Sequence, residues 1–134
     1  MTVPDTTARF VHTGLSVADL ERSLQWYGLH FGATATKRFE KPDLEIRGAV
    51  IAFEGGNVEL LEVRRPRKLD RATGSLVEEL RTIGTNHVAL GVADCGGCRE
   101  RLVQSGCEMV TPLLGGTMFF CKDPDGTLLE VKQV

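Results

Sequence analysis

The sequence predicts an α+β fold in which two βαβββ modules form a curved mixed sheet around a cavity. Three observations lead there. His12-Thr-Gly-Leu-Ser-Val-Ala-Asp19 and His87-Val-Ala-Leu-Gly-Val-Ala-Asp94 begin alike, each a histidine opening an alternating strand that ends in Val-Ala-Asp. Each is followed by a later strand carrying a carboxylate, Val58-Glu59-Leu60 and Leu129-Glu130-Val131. The segments between them repeat in the same order, so the chain reads as a duplication.

The elements follow from local pattern. Residues 10–18 alternate as a strand, and Asp19 can cap a helix in which Leu20, Leu24, Tyr27 and Phe31 recur at helical spacing. Gly28 weakens that helix and Gly32 can end it. Strands are expected at 33–40, 47–54 and 57–63, with Gly55-Gly56 turning the last hairpin. Residues 64–74 form a basic, Pro- and Gly-containing connector that reads as a solvated linker, and Ser75 with Glu78 makes a capping box for a short helix reaching Ile83. The order then repeats: strand 86–93, helix 94–105, strand 108–112, a Gly115-Gly116 loop, strand 117–122, an Asp123-Pro-Asp-Gly126 turn and strand 127–132. These eight strands place the modules at about 10–63 and 86–134 of one domain spanning 1–134, joined by a connector at 64–85.

Composition excludes several partners. The 134 residues are 42% apolar and 25% charged, an ordinary globular balance, and the net charge of −2 gives no pull toward nucleic acid or an anionic membrane. The polar N-terminus lacks an apolar signal core, and no stretch approaches the roughly 18–20 apolar residues of a membrane span, so a cytoplasmic location is expected. The four cysteines, Cys95, Cys98, Cys107 and Cys121, then read as reduced thiols. Cys95-Gly-Gly-Cys98 looks like a redox or zinc pair but lacks two further zinc ligands, and its glycines weaken a helix start without evident purpose.

The chemistry lies in the repeated histidine and carboxylate. Alternate strand residues share a face, so an early-strand histidine and a late-strand glutamate of each module can meet on the inner surface. His12, Glu59, His87 and Glu130 then make a mixed nitrogen and oxygen set suited to a divalent metal. Glu62 competes with Glu59, because Leu60-Leu61-Glu62-Val63 repeats Leu128-Leu129-Glu130-Val131 with the glutamate aligned, whereas the spacing from the turn glycine, Gly55 to Glu59 and Gly126 to Glu130, nominates Glu59. The two have opposite parity and cannot both face inward on a regular strand. His30 has no counterpart in the second module and reads as a cation at a helix C-terminus.

From Phe10 to Val134 the chain resembles the vicinal oxygen chelate superfamily, the glyoxalase, bleomycin-resistance and dioxygenase fold. The matching motifs are His12-Thr-Gly-Leu-Ser-Val with Asp19-Leu-Glu-Arg-Ser23, Asn86-His87-Val-Ala-Leu-Gly-Val, Gly115-Gly-Thr-Met-Phe-Phe120 and Asp123-Pro-Asp-Gly-Thr-Leu-Leu-Glu130. The resemblance implies one divalent ion per site (Mn, Ni, Co, Zn or Fe) held by His12, Glu59, His87 and Glu130, with substrate oxygens at the remaining positions. A four-ligand set resembles glyoxalase I and some epimerases, which move a proton beside a metal-bound carbonyl. Dioxygenases and fosfomycin thiol transferases of the superfamily use three ligands, and its bleomycin-binding members use none.

Glyoxalase I carries an arginine four residues after its first ligand histidine and an asparagine four after its first ligand glutamate, both serving glutathione. Here those positions hold Ser16 and Val63. The expectation is therefore an isomerase or epimerase of a small hydroxyketone, possible substrates including a cyclitol ketone such as 2-epi-5-epi-valiolone, with Glu130 and Glu59 as bases and Glu130 the principal one. Lactoylglutathione lyase activity, methylmalonyl-CoA epimerase activity and antibiotic binding are the alternatives. The expected partners are a small-molecule substrate and a second copy of the chain, and the modules could pair within one chain or across the homodimer.

Overall fold

A computed structural model describes residues 8–70 and 75–134. The N-terminal residues 1–7 and the last connector residues, 71–74, lie outside the described residues. The first module runs β1 (His12–Val17), α1 (Leu20–Phe31), β2 (Thr34–Lys41), β3 (Ile46–Phe53) and β4 (Gly56–Val63), with a 3-10 turn at Pro42–Leu44. A short α2 (Leu76–Leu80) leads to β5 (His87–Val92), α3 (Cys95–Gln104), β6 (Met118–Lys122) and β7 (Leu128–Gln133).

Both modules start with the same device. Asp19 caps α1 by accepting from Arg22 N (3.1 Å), and Asp94 caps α3 by accepting from Gly97 N (3.0 Å). At Gly97 a Cβ would lie 2.3 Å from the Asp94 carboxylate, so one glycine of the Cys95–Cys98 segment clears room for the cap. Gly32 closes α1 in the left-handed conformation, φ 67°, as a C-terminal glycine should. Ser75 accepts from Glu78 N (3.2 Å) to start α2, which stops at Leu80, short of Ile83.

Sheet topology is the same in the two halves. The first sheet has the order β1-β4-β3-β2 and the second β5-β7-β6. In each, the histidine strand runs parallel to the glutamate strand, and the residue two places beyond the histidine pairs with the glutamate: Gly14 with Glu59, Ala89 with Glu130. The strand expected at 108–112 is instead an irregular edge. Val110 N and Thr111 N both donate to Phe120 O (2.9 and 3.2 Å), which bulges the backbone, and Pro112 cannot donate further. Seven strands form among the described residues; of the expected 108–112 strand one isolated bridge remains, Met109 with Cys121 of β6, and a second bridge, Leu114 with Met118, lies beyond it.

Alternation sends Leu15, Val17, Val58 and Leu60 of the first sheet, and Phe119, Cys121, Leu129 and Val131 of the second, into one core with Leu20 and Tyr27 of α1 and Cys95, Cys98 and Leu102 of α3. The Asp123-Pro-Asp-Gly126 turn ties the halves together. Asp123 Oδ2 accepts from the buried Tyr27 hydroxyl (2.6 Å), and Asp125 Oδ1 accepts from Ala18 N (3.1 Å) and Arg22 Nη2 (2.9 Å). Helices α1 and α3 thus occupy the core side of the sheets, and the other side is left for the histidines and glutamates, with α2 at its edge beside β6.

Candidate metal centre

Strand alternation fixes which side chains share the face opposite the core. In the first sheet these are His12, Gly14 and Ser16 on β1 with Glu59, Leu61 and Val63 on β4; in the second they are His87 on β5, Glu130 on β7, and Phe120 and Lys122 on β6. His12 Nε2 lies 3.6 Å from Glu59 Oε1, and His87 Nε2 lies 3.1 Å from Glu130 Oε2. Two donors about 2.1 Å from one ion stand about 3.0 Å apart at a right angle and about 3.4 Å apart at the tetrahedral angle. The His87–Glu130 pair has the spacing of adjacent ligands and the His12–Glu59 pair stands slightly wider, at 3.6 Å; two imidazoles with two carboxylates suit a borderline divalent ion.

Glu62 does other work. Its Oε2 accepts from Leu20 N (2.7 Å) at the start of α1, and its Oε1 lies 3.6 Å from Arg47 Nη1. The carboxylate therefore satisfies an orphan helix donor on the core side of the sheet, with the parity opposite to Glu59.

The two pairs remain separate. Among the described residues no three His, Cys, Asp or Glu side chains gather closely enough to hold a metal, so one chain displays two two-donor half-sites rather than the convergent four-donor set expected from the sequence. Two flanking clefts, about 610 Å³ and about 1290 Å³, both reach His87.

The second half-site has companions that its first-half counterpart lacks among the described residues. Asn86 Oδ1 meets His87 Nδ1 at 2.9 Å, and Asn86 Nδ2 donates to the Glu79 carbonyl at 2.8 Å. The Phe120 ring stands edge-on to the imidazole with centroids 5.4 Å apart. Lys122, two strands away on the same face, pairs in the interior with the Glu79 carboxylate. Sequence reading passed over these groups: Phe120 and Lys122 alternate on β6 opposite Glu130 and were findable by period, whereas Glu79 is brought in by α2, which no pattern orients.

The remaining candidates are structural. His30 stands in the last turn of α1, where it was expected, and its ring packs beside Trp26 (centroids 5.0 Å); partial burial lowers its pKa, and nearby Arg101 lowers it further. Burial raises the thiol pKa values of Cys95 and Cys98 and pushes Cys121 up to about 12, the opposite of thiolate activation.

The Glyoxalase/Bleomycin resistance protein/Dioxygenase superfamily model matches residues 9–131. The chain belongs to this superfamily. It is 29% identical to the lactoylglutathione lyase of Escherichia coli O157:H7 over 130 residues, covering 92% of this chain and 90% of that one. It is 27% identical over 134 residues to a probable lactoylglutathione lyase of Vibrio parahaemolyticus, with 93% and 90% covered. The fold superposes on the trypanothione-dependent glyoxalase I of Leishmania major with a TM-score of 0.79 at 20% identity, over 95% of this chain and 87% of that one. A structure of the fosfomycin resistance protein FosX from Listeria monocytogenes, complexed with Mn(II), matches at a TM-score of 0.66 and 19% identity, over 94% and 92%. No helix among the described residues is long and apolar enough to cross a membrane.

Proposed function

We propose that the chain is a metal-dependent isomerase that moves a proton beside the carbonyl of a small hydroxycarbonyl substrate, with His12 and Glu59 of one copy meeting His87 and Glu130 of a second. The supporting observation is the pair of His–Glu half-sites, in identical register on parallel strands and 3.6 and 3.1 Å across, with no third donor gathered at either among the described residues. A divalent ion bound there supplies Lewis-acid polarisation of a carbonyl, worth several kcal/mol of charge stabilisation. The chain's own residues do the rest. Glu130 and Glu59 approach from opposite sheets, so that Glu130 removes the acidic proton and Glu59 can return one to the opposite face. Phe120, on the face beside Glu130, keeps part of that space dry.

Substrate choice turns on Ser16 and Val63, which share the open face with His12 and Glu59. Neither can hold a glutathionyl carboxylate as a cation or amide could, which favours a compact substrate; a cyclitol ketone fits that class. The second reading is lactoylglutathione lyase activity, supported by the names of relatives that match over nearly the whole chain. Turnover of the methylglyoxal–glutathione adduct at kcat/KM of roughly 10⁴ M⁻¹s⁻¹ or above selects it.

Mixed dimers test the composite site. His12→Ala and His87→Ala proteins should each lose bound metal, and unfolding and refolding them together should restore about one quarter of the sites, because half the dimers then carry one intact site of two. Elemental analysis and deuterium incorporation beside the carbonyl of candidate hydroxyketones read the result. Metal retained by either single variant sinks the ligand set, and no recovery on mixing sinks the shared site.

A further inference from the structure

We infer that Asn86 is a positioning residue that locks the His87 imidazole in its Nδ1–H tautomer and keeps the Nε2 lone pair aimed at the cation position. The inference rests on the metal reading of His87 but concerns a residue outside the donor set.

The hydrogen bonds decide the tautomer. Asn86 has one amide end against the Glu79 main-chain carbonyl (2.8 Å) and the other against His87 Nδ1 (2.9 Å). A carbonyl can only accept, so the NH₂ end must face Glu79 and the Oδ1 end must face the ring. An oxygen facing Nδ1 requires a proton there. The neutral ring then carries its lone pair on Nε2, 3.1 Å from Glu130 Oε2. A proton or a metal cation can sit between two acceptors at that distance, and a ring already fixed with its proton on Nδ1 offers Nε2 to a metal without first changing tautomer.

The support extends inward. The Glu79 carbonyl is held by α2, whose Glu79 carboxylate is 1% exposed and pairs with the equally enclosed Lys122 ammonium on β6. The same strand supplies Phe120, whose ring meets the imidazole edge-on. Glu79 is thus anchored at both ends, its carboxylate by Lys122 and its main-chain carbonyl by Asn86, and Asn86 in turn holds His87. The residue before His12 is Val11, a side chain with no hydrogen-bonding group, 69% exposed. The lock belongs to one half of the duplication.

Nitrogen-15 NMR of the metal-free protein reads the tautomer directly, and titration calorimetry with Zn(II) and Mn(II) reads its consequence. Wild-type protein should show His87 protonated on Nδ1 when neutral. Asn86→Ala should move the proton to Nε2 and weaken both metals by about 10- to 100-fold. Asn86→Asp, which restores an acceptor at Nδ1, should return the Nδ1–H form and bring metal affinity back to within about tenfold of wild type. A stability change alone would move neither the tautomer nor its rescue. An Nε2–H signal in the wild type, measurable without any variant, overturns the inference, as does an alanine variant that keeps both the tautomer and the affinity. Failure of the wild type to bind either metal overturns the proposed function instead, and with it the ligand role of the locked ring.

Discussion

The two half-sites are copies in backbone and strangers in surroundings. His12 and Glu59 stand 3.6 Å apart with 36% of the imidazole exposed, whereas His87 and Glu130 stand 3.1 Å apart with the ring bonded to Asn86 and set against Phe120. Parallel pairing and register are identical, Gly14 with Glu59 and Ala89 with Glu130. Duplication therefore preserved what the main chain dictates, and divergence acted on the second layer of side chains. On the proposed shared site, a pre-organised half and an open half would divide the work: one would hold a cation at little reorganisation cost, and the other would close over it when a second copy docks.

That division gives the largest expected effect. Both His87→Ala and His12→Ala should weaken divalent-metal binding, the His87 change by several orders of magnitude and the His12 change about tenfold less, since an unfixed ligand spends part of its binding energy on ordering itself. Competition against a metal-sensing dye measures both. Equal losses would show that the Asn86 and Phe120 shell adds nothing at the metal, and a reversed order would make the open half the stronger one.

A second contrast concerns two glutamates on one strand. Glu59→Ala should release metal while leaving urea unfolding close to that of the wild type. Glu62→Ala should do the reverse, lowering unfolding free energy by about 1–2 kcal/mol because Leu20 N loses its acceptor at the head of α1. Metal analysis beside an unfolding curve separates them. Loss of metal in the Glu62 variant would transfer the ligand role and break the register equivalence between the halves.

Much of this arrangement is written in the sequence. Alternation about His12 and His87, the two Asp caps, the Ser75 capping start and the Pro-Asp-Gly turn all rest on local chemistry, and local chemistry is legible one residue at a time. The choice between Glu59 and Glu62 was harder, because letter matching and turn counting disagree by three residues and only the partner strand breaks the tie. The 108–112 strand was overestimated: Thr111 satisfies Phe120 N through its hydroxyl (2.9 Å), a side-chain substitution for ladder bonding that no periodicity reports. Convergence of the two metal pairs was also expected from symmetry, but symmetry fixes equivalence and not distance. Asn86 was visible as a letter beside His87, yet its role needed Glu79, which arrives from α2 by tertiary packing.

The smallest effect concerns the turns after β3 and β6. In the first half β3 passes to β4 through Glu54-Gly55, while in the second half Asp123 takes the Tyr27 hydroxyl and two backbone donors, Asp125 N and Thr127 N (both 2.9 Å), into a nearly closed pocket. Burial dominates those bonds and raises the Asp123 pKa above 3.8. Ionised Asp123 therefore costs stability at neutral pH. As pH falls through the raised folded value toward 3.8, protonation removes that cost, so this one group makes the fold more stable on acidification, opposite to a carboxylate whose pKa folding lowers. Asp123→Asn keeps an oxygen for the two backbone donors and cannot titrate, so at pH 7 it should differ from the wild type by no more than about 1 kcal/mol. Urea midpoints measured for both proteins at pH 7 and pH 4 cancel the other carboxylates in the difference, and the wild type should gain on the variant at the lower pH. A constant difference would mean that the Tyr27 and backbone hydrogen bonds cancel burial, and one that moves toward the variant would mean that they outweigh it, making this second-half turn a gain from ionisation rather than a cost.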